Sequence, residues 1–353
     1  MINYSILTAC VCSALSLTVS AVSPTFKKES LEVKPSMFSN LGDTFTVPDG
    51  LALDAQNNIV LSVPNYIDYK KVGGSKIVTL DAKGNIIDSF NDLPPSKVTG
   101  MVHPMGIGFG PDGHLYIADN QYFSNTDHQS RVLRLRYKNG KPTQCEVVIE
   151  GTELSNAVRW QGDYLYLSDT VITLEGKKNQ SGVYRFHINE LKGAPLKVDK
   201  KKHLLVTYTG ETGFGADGVT FDKAGNMYCG LFGDGQVFKT SFHKDGSVQK
   251  TTRIINDPAF ECCDGIICDK ETNKIYLTNS AMNSVWIYDI TSNSMQRLWQ
   301  NADDTGETGL LDQPCEPIIR GEELLIVNFD MTFPGLMNRE NDEVNHISKF
   351  QIK

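Results

Sequence analysis

The sequence lacks an excess of positive charge. Its 34 lysine and arginine residues are outnumbered by 42 aspartate and glutamate residues, which gives a formal net charge of -8. This balance argues against a basic surface that binds nucleic acid or an anionic membrane. It is compatible with binding a cation. No Cys-x-x-Cys pair with metal-ligand spacing is present, which argues against a zinc site. Apolar residues make up 40% of the 353 residues, so general disorder is also excluded.

A long uncharged apolar run occurs once, at residues 6–22, and no second such run follows. We predict a signal peptide at 1–21, ending at the small residues Val19-Ser20-Ala21, and a mature propeller domain at 22–353. The alternative is an uncleaved anchor helix, because the run is close to the minimum length for spanning a membrane. We expect a secreted or periplasmic protein without stable membrane insertion. The sequence leaves its oligomeric state open.

A short pattern recurs six times through the mature chain: a polar or small first residue, a small residue, an apolar strand, a turn, and a second apolar strand. The first residues of the six copies are Asp49, Met105, Asn156, Asp217, Asp264 and Glu316. They lie 47 to 61 residues apart, and further alternating runs follow each copy. This spacing is typical of one four-stranded antiparallel sheet per copy, so we predict an all-β fold, a six-bladed β-propeller. The last copy has only three strands, and residues about 30–47 would supply its outer strand and close the ring.

Equivalent positions at the start of the innermost strands form a ring at one mouth of a propeller channel. Five of the six first residues carry side-chain oxygens, and four of them are carboxylates. Such carboxylates would repel one another unless a hard cation lay between them, and Ca²⁺ accepts several carboxylate and amide oxygens. We therefore predict a Ca²⁺ site, with another divalent cation as the alternative ion. The predicted ligands are Asp49, Asn156, Asp217, Asp264 and Glu316. The competing interpretation is that they are turn residues chosen for local hydrogen bonds.

From Val47 to Lys353 the sequence resembles the senescence marker protein/gluconolactonase (regucalcin-like) superfamily, and more distantly paraoxonase and strictosidine synthase. The resemblance rests on the six-fold period, on Asn156-Ala157-Val158, and on the segment Asp217-Gly218-Val219-Thr220-Phe221-Asp222. It implies a six-bladed propeller with a catalytic Ca²⁺ held by a first-blade acid, middle-blade asparagines and the aspartate of an Asp-Gly strand.

Carried over by motif, these ligands fall at Asp49, Asn156 and Asp217. The sequence departs from the family pattern in three places. Asp49 is shorter than the usual Glu, so Glu316 is an alternative ligand. Met105 stands where a polar residue is common, and Ala157 replaces a common Gly.

Further site residues are predicted around the ring. His103-Pro104-Met105-Gly106 resembles the paraoxonase His-Pro-His-Gly segment, so His103 is either a general base or a loop histidine that caps a turn. Met105, Phe214 and Phe232 are predicted to line an apolar substrate pocket. Cys263 and Cys315 precede ring residues and could pair, Cys262 and Cys263 could form a vicinal bridge, or all could be buried free thiols.

These expectations lead to a secreted calcium-dependent hydrolase of lactone or ester substrates, with a small molecule as partner and with Asp217 or His103 activating water. Two alternatives stay open. One is a non-catalytic propeller that binds a ligand or a protein, because a fold does not fix a function. The other is a condensing enzyme of the strictosidine synthase type, for which Glu316 would be the only ring glutamate.

Overall fold

The computed structural model describes residues 23–68 and 71–352, and the predicted signal peptide at 1–21 lies outside the described residues. Within those ranges the chain is nearly all strand, arranged as the predicted six-bladed β-propeller. No helix in the described part is long and apolar enough to cross a membrane.

Each blade is a sheet of four strands in which the first strand is innermost. Two strands precede blade 1: β1 (Thr25–Lys27) and β2 (Ser36–Gly42). Blade 1 contains β3 (Leu51–Leu53), β4 (Ile59–Val63), β7 (Lys76–Leu80) and β8 (Ile86–Phe90), with a hairpin of β5 (Tyr66–Asp68) and β6 (Lys71–Val72) inserted. Blade 2 contains β9 (Pro104–Phe109), β10 (Leu115–Asp119), β11 (Ser130–Lys138) and β12 (Lys141–Thr152). Blade 3 contains β13 (Ser155–Gln161), β14 (Tyr164–Asp169), β15 (Gln180–His187) and β17 (Leu204–Thr209), with β16 (Leu196–Lys197) before the last strand.

The second half repeats this plan. Blade 4 contains β18 (Ala216–Phe221), β19 (Met227–Leu231), β20 (Gln236–Phe242) and β21 (Val248–Ile255). Blade 5 contains β22 (Ile266–Asp269), β23 (Lys274–Asn279), β24 (Ser284–Asp289) and β25 (Ser294–Gln300). Blade 6 contains β26 (Pro314–Arg320), β27 (Glu323–Asn328) and β28 (Asn345–Gln351), and β2 is its outer strand, antiparallel to β28. The described helices are single turns: 3₁₀ turns at Ile188–Leu191, Phe232–Asp234 and Ser280–Met282, and α1 at Lys200–His203.

Two blades carry a fifth strand that the repeat does not indicate. β1 pairs in parallel with β25 at the edge of blade 5, and β16 pairs in parallel with β12 at the edge of blade 2. Both added strands are only two or three residues long. Each covers part of an outer sheet edge that would otherwise leave backbone groups unpaired.

The ring closes through its innermost strands. These strands contact one another in the order β3, β9, β13, β18, β22 and β26, and β26 returns to β3. The second strands are buried on both faces: every residue of β4, β10 and β19 is buried, which explains their continuous apolar sequences. An apolar cluster fills the space between each pair of neighbouring blades, so the core is divided into six wedges around the channel.

Candidate functional site at the channel mouth

The residue that begins each repeat lies at an irregularity of the innermost strand. In β9, β13, β18 and β26 the pairing register shifts across Met105, Asn156, Asp217 and Glu316, as in a β-bulge. A bulge bends the strand and re-aims the side chain of the extra residue. Such bulges are common beside active sites, and here they recur at one level of the channel.

A glycine follows four of the six ring positions, and close packing between blades requires it there. A Cβ atom on Gly50 would lie 2.6 Å from the carbonyl oxygen of Met105, and one on Gly218 would lie 2.5 Å from that of Asp264. The backbone at one ring position therefore packs directly on the backbone at the next ring position. This contact sets the spacing of the ring.

Four carboxyl groups share the buried channel mouth. Burial, followed by the charges of Asp264 and Glu316, raises the pKa of Asp49 well above its usual value. Burial and the other three acids raise the pKa of Asp217 in the same way. Burial raises the pKa of Asp264 to about 7. These shifts come first from burial and then from the like charges of the other ring acids, which is the repulsion expected from the sequence.

Asn156 and Asp217 form a hydrogen-bonded pair across neighbouring blades. Nδ2 of Asn156 donates to Oδ2 of Asp217 at 2.7 Å, and Thr170 accepts a longer bond of 3.4 Å from the same nitrogen. The hydroxyl of Thr170 in turn donates to the carbonyl of Ala216, one residue before Asp217. Because the amide nitrogen faces the carboxylate, the amide oxygen of Asn156 is left to act as a ligand.

Arg159 is a channel residue that the ring prediction missed. Its guanidinium forms an ion pair with Oε1 of Glu316 at 2.6 Å and donates through Nε to the carbonyl of Val219. The pKa of Glu316 is raised by burial, and the charge of Arg159 opposes this shift. The sequence did distinguish Arg159. It lies three residues after the first position of its copy, where the other five copies have uncharged residues: Ala52, Gly108, Thr220, Ile267 and Ile319.

The donor types at the ring suit a hard cation, but the carboxylates are spread out. Oxygens bonded to one Ca²⁺ at about 2.3–2.6 Å can be no more than about 5 Å apart. In the described part of the chain, the one trio of acidic, histidine or cysteine ligand atoms within 4.8 Å of one another is Asp312, Asp330 and Asp342, which lies outside the ring. In this arrangement an ion can therefore be shared directly by at most two ring carboxylates, with Asn156 and water supplying the other oxygens. The five-residue ligand set stays a prediction.

His103 immediately precedes β9, two residues before Met105, and is only 1% exposed. Its Nε2 is 3.0 Å from the hydroxyl of Ser124, its ring packs 5.3 Å from that of Tyr66, and its Nδ1 is buried without a hydrogen-bond partner. Burial lowers the pKa of His103, which favours the neutral imidazole, although Asp119 acts in the opposite direction. A neutral imidazole can accept a proton, but the ring has little access to solvent in this position.

The predicted pocket residues occupy two different environments. Met105 is buried, and its sulfur lies 3.8 Å from the hydroxyl of Tyr66. Phe214 is 39% exposed and lies near Phe123, with 6.3 Å between the ring centres. Phe232 is half-buried in a 3₁₀ turn. Met105 is thus buried at its ring position, whereas Phe214 belongs to the surrounding loops.

The six cysteines of the described residues are all free thiols. Five are buried and Cys145 is half-buried, in agreement with the interpretation of these residues as small apolar side chains. Burial raises the pKa of Cys263 and Cys315 well above the usual thiol value. A thiolate nucleophile at the ring is therefore not supported.

The SMP-30/gluconolactonase/LRE-like region, a protein family defined by sequence, matches residues 106–253. This stretch runs from blade 2 to blade 4 and includes Asn156, Arg159 and Asp217. The resemblance to this family noted in the sequence is thereby confirmed over residues 106–253. No curated protein matches the chain in sequence.

Solved structures share the fold at low identity. A calcium-binding protein, regucalcin, from Agrobacterium tumefaciens has a TM-score of 0.56 and 15% identity, covering 90% of this chain and 95% of that one. A gluconolactonase from Xanthomonas campestris has a TM-score of 0.54 and 11% identity, covering 95% and 99%. A PQQ-bound aldose sugar dehydrogenase from Streptomyces coelicolor has a TM-score of 0.58 and 14% identity, covering 91% and 99%. Because propellers of different chemistry are equally similar, this likeness establishes the fold alone.

Proposed function

We propose that this chain, whose residues 106–253 match the SMP-30/gluconolactonase/LRE-like region, is a secreted calcium-dependent hydrolase of lactones or esters. The observation that carries the proposal is the presence of four buried or half-buried acids and Asn156 at one mouth of the channel. Three of these acids, Asp49, Asp217 and Asp264, have no ion-pair partner in the described residues. Uncompensated buried carboxylates are costly to a fold, so their presence at one repeat position favours a role in binding a cation.

The chemistry follows from the ring. Bound Ca²⁺ would supply Lewis-acid stabilisation of the negative charge that develops on the carbonyl oxygen during hydrolysis. Water attacks the carbonyl carbon, the acyl–oxygen bond breaks, and the alcohol oxygen takes up a proton. Asp217 is our first candidate for accepting the proton of the water, because it lies at the ring and Asn156 fixes its orientation.

His103 is our second candidate for proton transfer. Its lowered pKa and unpartnered Nδ1 suit a neutral base, but a side chain only 1% exposed must move before it can reach a water. We therefore assign Asp217 the direct role. We expect His103→Gln to reduce turnover by less than about tenfold, well below the effect of losing a general base.

The proposal also places the protein outside the cytoplasm, because residues 1–21 have the composition of a signal peptide. Extracellular calcium would then be available to the ring. Amino-terminal sequencing of the protein recovered from medium or periplasm tests this part. A mature chain that starts near residue 22 supports it, and a chain that starts at Met1 contradicts it.

The decisive experiment is a lactone and ester panel assayed by proton release, with and without a chelator. We expect activity that the chelator abolishes and Ca²⁺ restores, and a loss of about 10²-fold or more in kcat for Asp217→Asn. Asp163→Asn is the matched control, because this exposed acid lies in the turn between β13 and β14, at the opposite end of the inner strands. Full turnover and calcium affinity in Asp217→Asn would overturn the proposal.

A non-catalytic binding propeller is the competing function, favoured by the apolar Met105 among the ring residues. It predicts calcium binding without turnover on any member of the panel. The condensing-enzyme alternative is weakened, because the ring glutamate, Glu316, is held in an ion pair with Arg159.

A further inference from the structure

A second acidic cluster lies in blade 6, apart from the ring positions. Asp312 precedes β26, Asp330 follows β27, and Asp342 precedes β28. One ligand oxygen from each lies within 4.8 Å of the other two. Three residues from two connections, one before β26 and one between β27 and β28, therefore meet at the channel-mouth end of this blade.

Asp312 is the most unusual member of this cluster. Its side chain is 0% exposed, and both carboxylate oxygens are buried without a hydrogen-bond partner. Its backbone N–H is held by Oδ1 of Asn328 at 2.9 Å, so the residue is fixed in place while its carboxylate is left unsatisfied. Burial and the neighbouring acids raise the pKa of Asp312 to about 9. An unsatisfied buried carboxylate is expensive unless a ligand completes it.

The surroundings of Asp330 add a neutral oxygen donor. Oδ1 of Asp330 accepts Nδ2 of Asn338 at 3.1 Å, and Oδ2 accepts the backbone N–H of Asp342 at 3.0 Å. Asn338 is 1% exposed, and its Oδ1 is buried without a partner. The amide nitrogen is bonded to an acid of the cluster, so the unpartnered amide oxygen lies close beside it.

No cationic side chain compensates this group. Within residues 23–68 and 71–352, none of the lysine, arginine or histidine ion pairs involves Asp312, Asp330 or Asp342. Asp303 and Asp304 in the preceding loop add to the negative potential at Asp312. The cluster therefore has the charge and the unsatisfied oxygens of a cation site, and no protein group supplies the cation.

We propose that Asp312, Asp330 and Asp342, with the amide oxygen of Asn338, bind a second divalent cation, for which Ca²⁺ is the best match. All four donors are oxygens, which disfavours zinc and soft metals. Ligand oxygens up to 4.8 Å apart fit around one ion with Ca–O distances of about 2.3–2.6 Å, whereas Mg²⁺ requires a tighter octahedron.

The ion would hold the loop of residues 329–344 at both ends, because Asp330 begins that loop and Asp342 is near its end. Phe329 and Met331, in the same loop, belong to the apolar cluster that contains Tyr66 and Met105. The second site would thereby fix one wall of the channel mouth. Its role is structural, and it does not depend on the ring being catalytic.

The test measures calcium stoichiometry and thermal stability in the full chain after chelation, in an Asp217→Asn background that weakens the ring site. Asp312→Asn and Asp342→Asn neutralise the second site. Glu340→Gln is the matched control, because it removes one charge from an exposed acid of the same loop. Calcium alone is the probe, and magnesium at the same concentration tests selectivity.

We expect one calcium equivalent in the Asp217→Asn background and in its Glu340→Gln derivative. Asp312→Asn should abolish binding of this calcium ion. Asp342→Asn should raise the Kd for calcium by more than the roughly 10–100-fold that is typical when a residue that only supports a metal ligand is replaced. In chelator, Asp312→Asn should be about as heat-stable as its parent, because the carboxyl group that it replaces has no hydrogen-bond partner, yet it should lose the calcium-dependent rise in Tm. No calcium binding in the Asp217→Asn background, or equal losses for Glu340→Gln and Asp312→Asn, would overturn the proposal. Loss of lactonase activity alone would bear on the ring and not on this site.

Discussion

The guanidinium of Arg159 in blade 3 forms an ion pair with the carboxylate of Glu316 in blade 6, at 2.6 Å. In a ring of six blades these two are opposite, so the pair spans the channel. Arg159 lies three residues along β13 from Asn156, away from the mouth. The ion pair therefore crosses the channel just beneath the ring. The ring forms the base of a cavity that is open at the channel mouth.

Removing one partner of this bridge should destabilise the protein. Arg159→Met would leave Glu316 buried beside three other acids, and we expect a loss of about 2 kcal/mol or more in the free energy of unfolding. This is below the roughly 3–5 kcal/mol for a fully buried pair, because the two side chains are still 19% and 12% exposed. Urea unfolding measures the effect. Adding Glu316→Gln should recover part of the loss, and strictly additive losses would show that the two residues are not coupled.

The backbone contact between neighbouring ring positions gives a second prediction. Gly218→Ala places a Cβ 2.5 Å from the carbonyl oxygen of Asp264 and 2.7 Å from the amide nitrogen of Ile266. Both neighbours are backbone atoms, so blades 4 and 5 must separate, and we expect a loss of about 1–3 kcal/mol. Gly213→Ala is the control, because its Cβ would have no atom within 4 Å. Equal midpoints of chemical unfolding for the two variants would contradict this account.

Stability without calcium should fall as pH rises from about 4 to about 7, and Asp169 is one identifiable cause. Burial raises the pKa of Asp169 to about 7, although the backbone N–H groups of Glu153 and Leu154 act in the opposite direction. A carboxyl of the unfolded chain titrates near about 3.9, so between about pH 4 and 7 the folded chain binds a proton that the unfolded chain has lost. The contribution is complete below about pH 4 and decreases at up to about 1.4 kcal/mol per pH unit until pH 7.

Unfolding in urea and chelator at pH 5, 6, 7 and 8 tests this dependence. Asp169→Asn should be less stable than the parent overall, because it loses one backbone hydrogen bond, but its stability should fall less steeply with pH. The comparison is between slopes, so the other buried acids, present in both proteins, cancel. Identical slopes would mean that Asp169 is ionised throughout this range.

The cysteines should be unreactive in the folded protein. Burial raises the pKa of the half-buried Cys145 to about 12, and that of Cys262 likewise to about 12, so little thiolate is present at pH 7. Alkylation followed by mass spectrometry should label almost no thiol before unfolding and six thiols afterwards in a chain that begins near residue 22. Four labelled thiols after unfolding would reveal a disulfide instead.

The sequence was sufficient for the fold because propeller blades are local units. Each copy supplies its own alternating strands, and the start of each copy marks the same position in its blade, as Asp217 in blade 4 and Asp264 in blade 5 show. The bulge itself was not predictable, since it depends on the pairing register with the second strand. The parallel additions β1 and β16 were missed for a similar reason: runs of three and two residues carry no usable periodicity.

The site was only partly accessible to sequence reasoning. Residues at equivalent repeat positions could be placed together, whereas the partner of Arg159 depends on which blades face each other across the channel. The cluster of Asp312, Asp330 and Asp342 escaped notice because its members lie in variable connections outside the repeated strands. Repetition identifies positions related by symmetry, and it carries no information on contacts between loops.

Blade 6 is assembled from both ends of the described chain. Asn40 in β2 is paired with His346 in β28, and the backbone N–H of Val47 binds the side chain of Asn345. A chain made from its amino terminus onward can fold blades 1 to 5 from neighbouring segments, but the pairing of β2 must wait for residues 345–351. Ring closure is thus the latest folding event. Until it occurs, β2 and β27 each keep an unpaired edge, and this interval is when the molecule is most open to association with other chains.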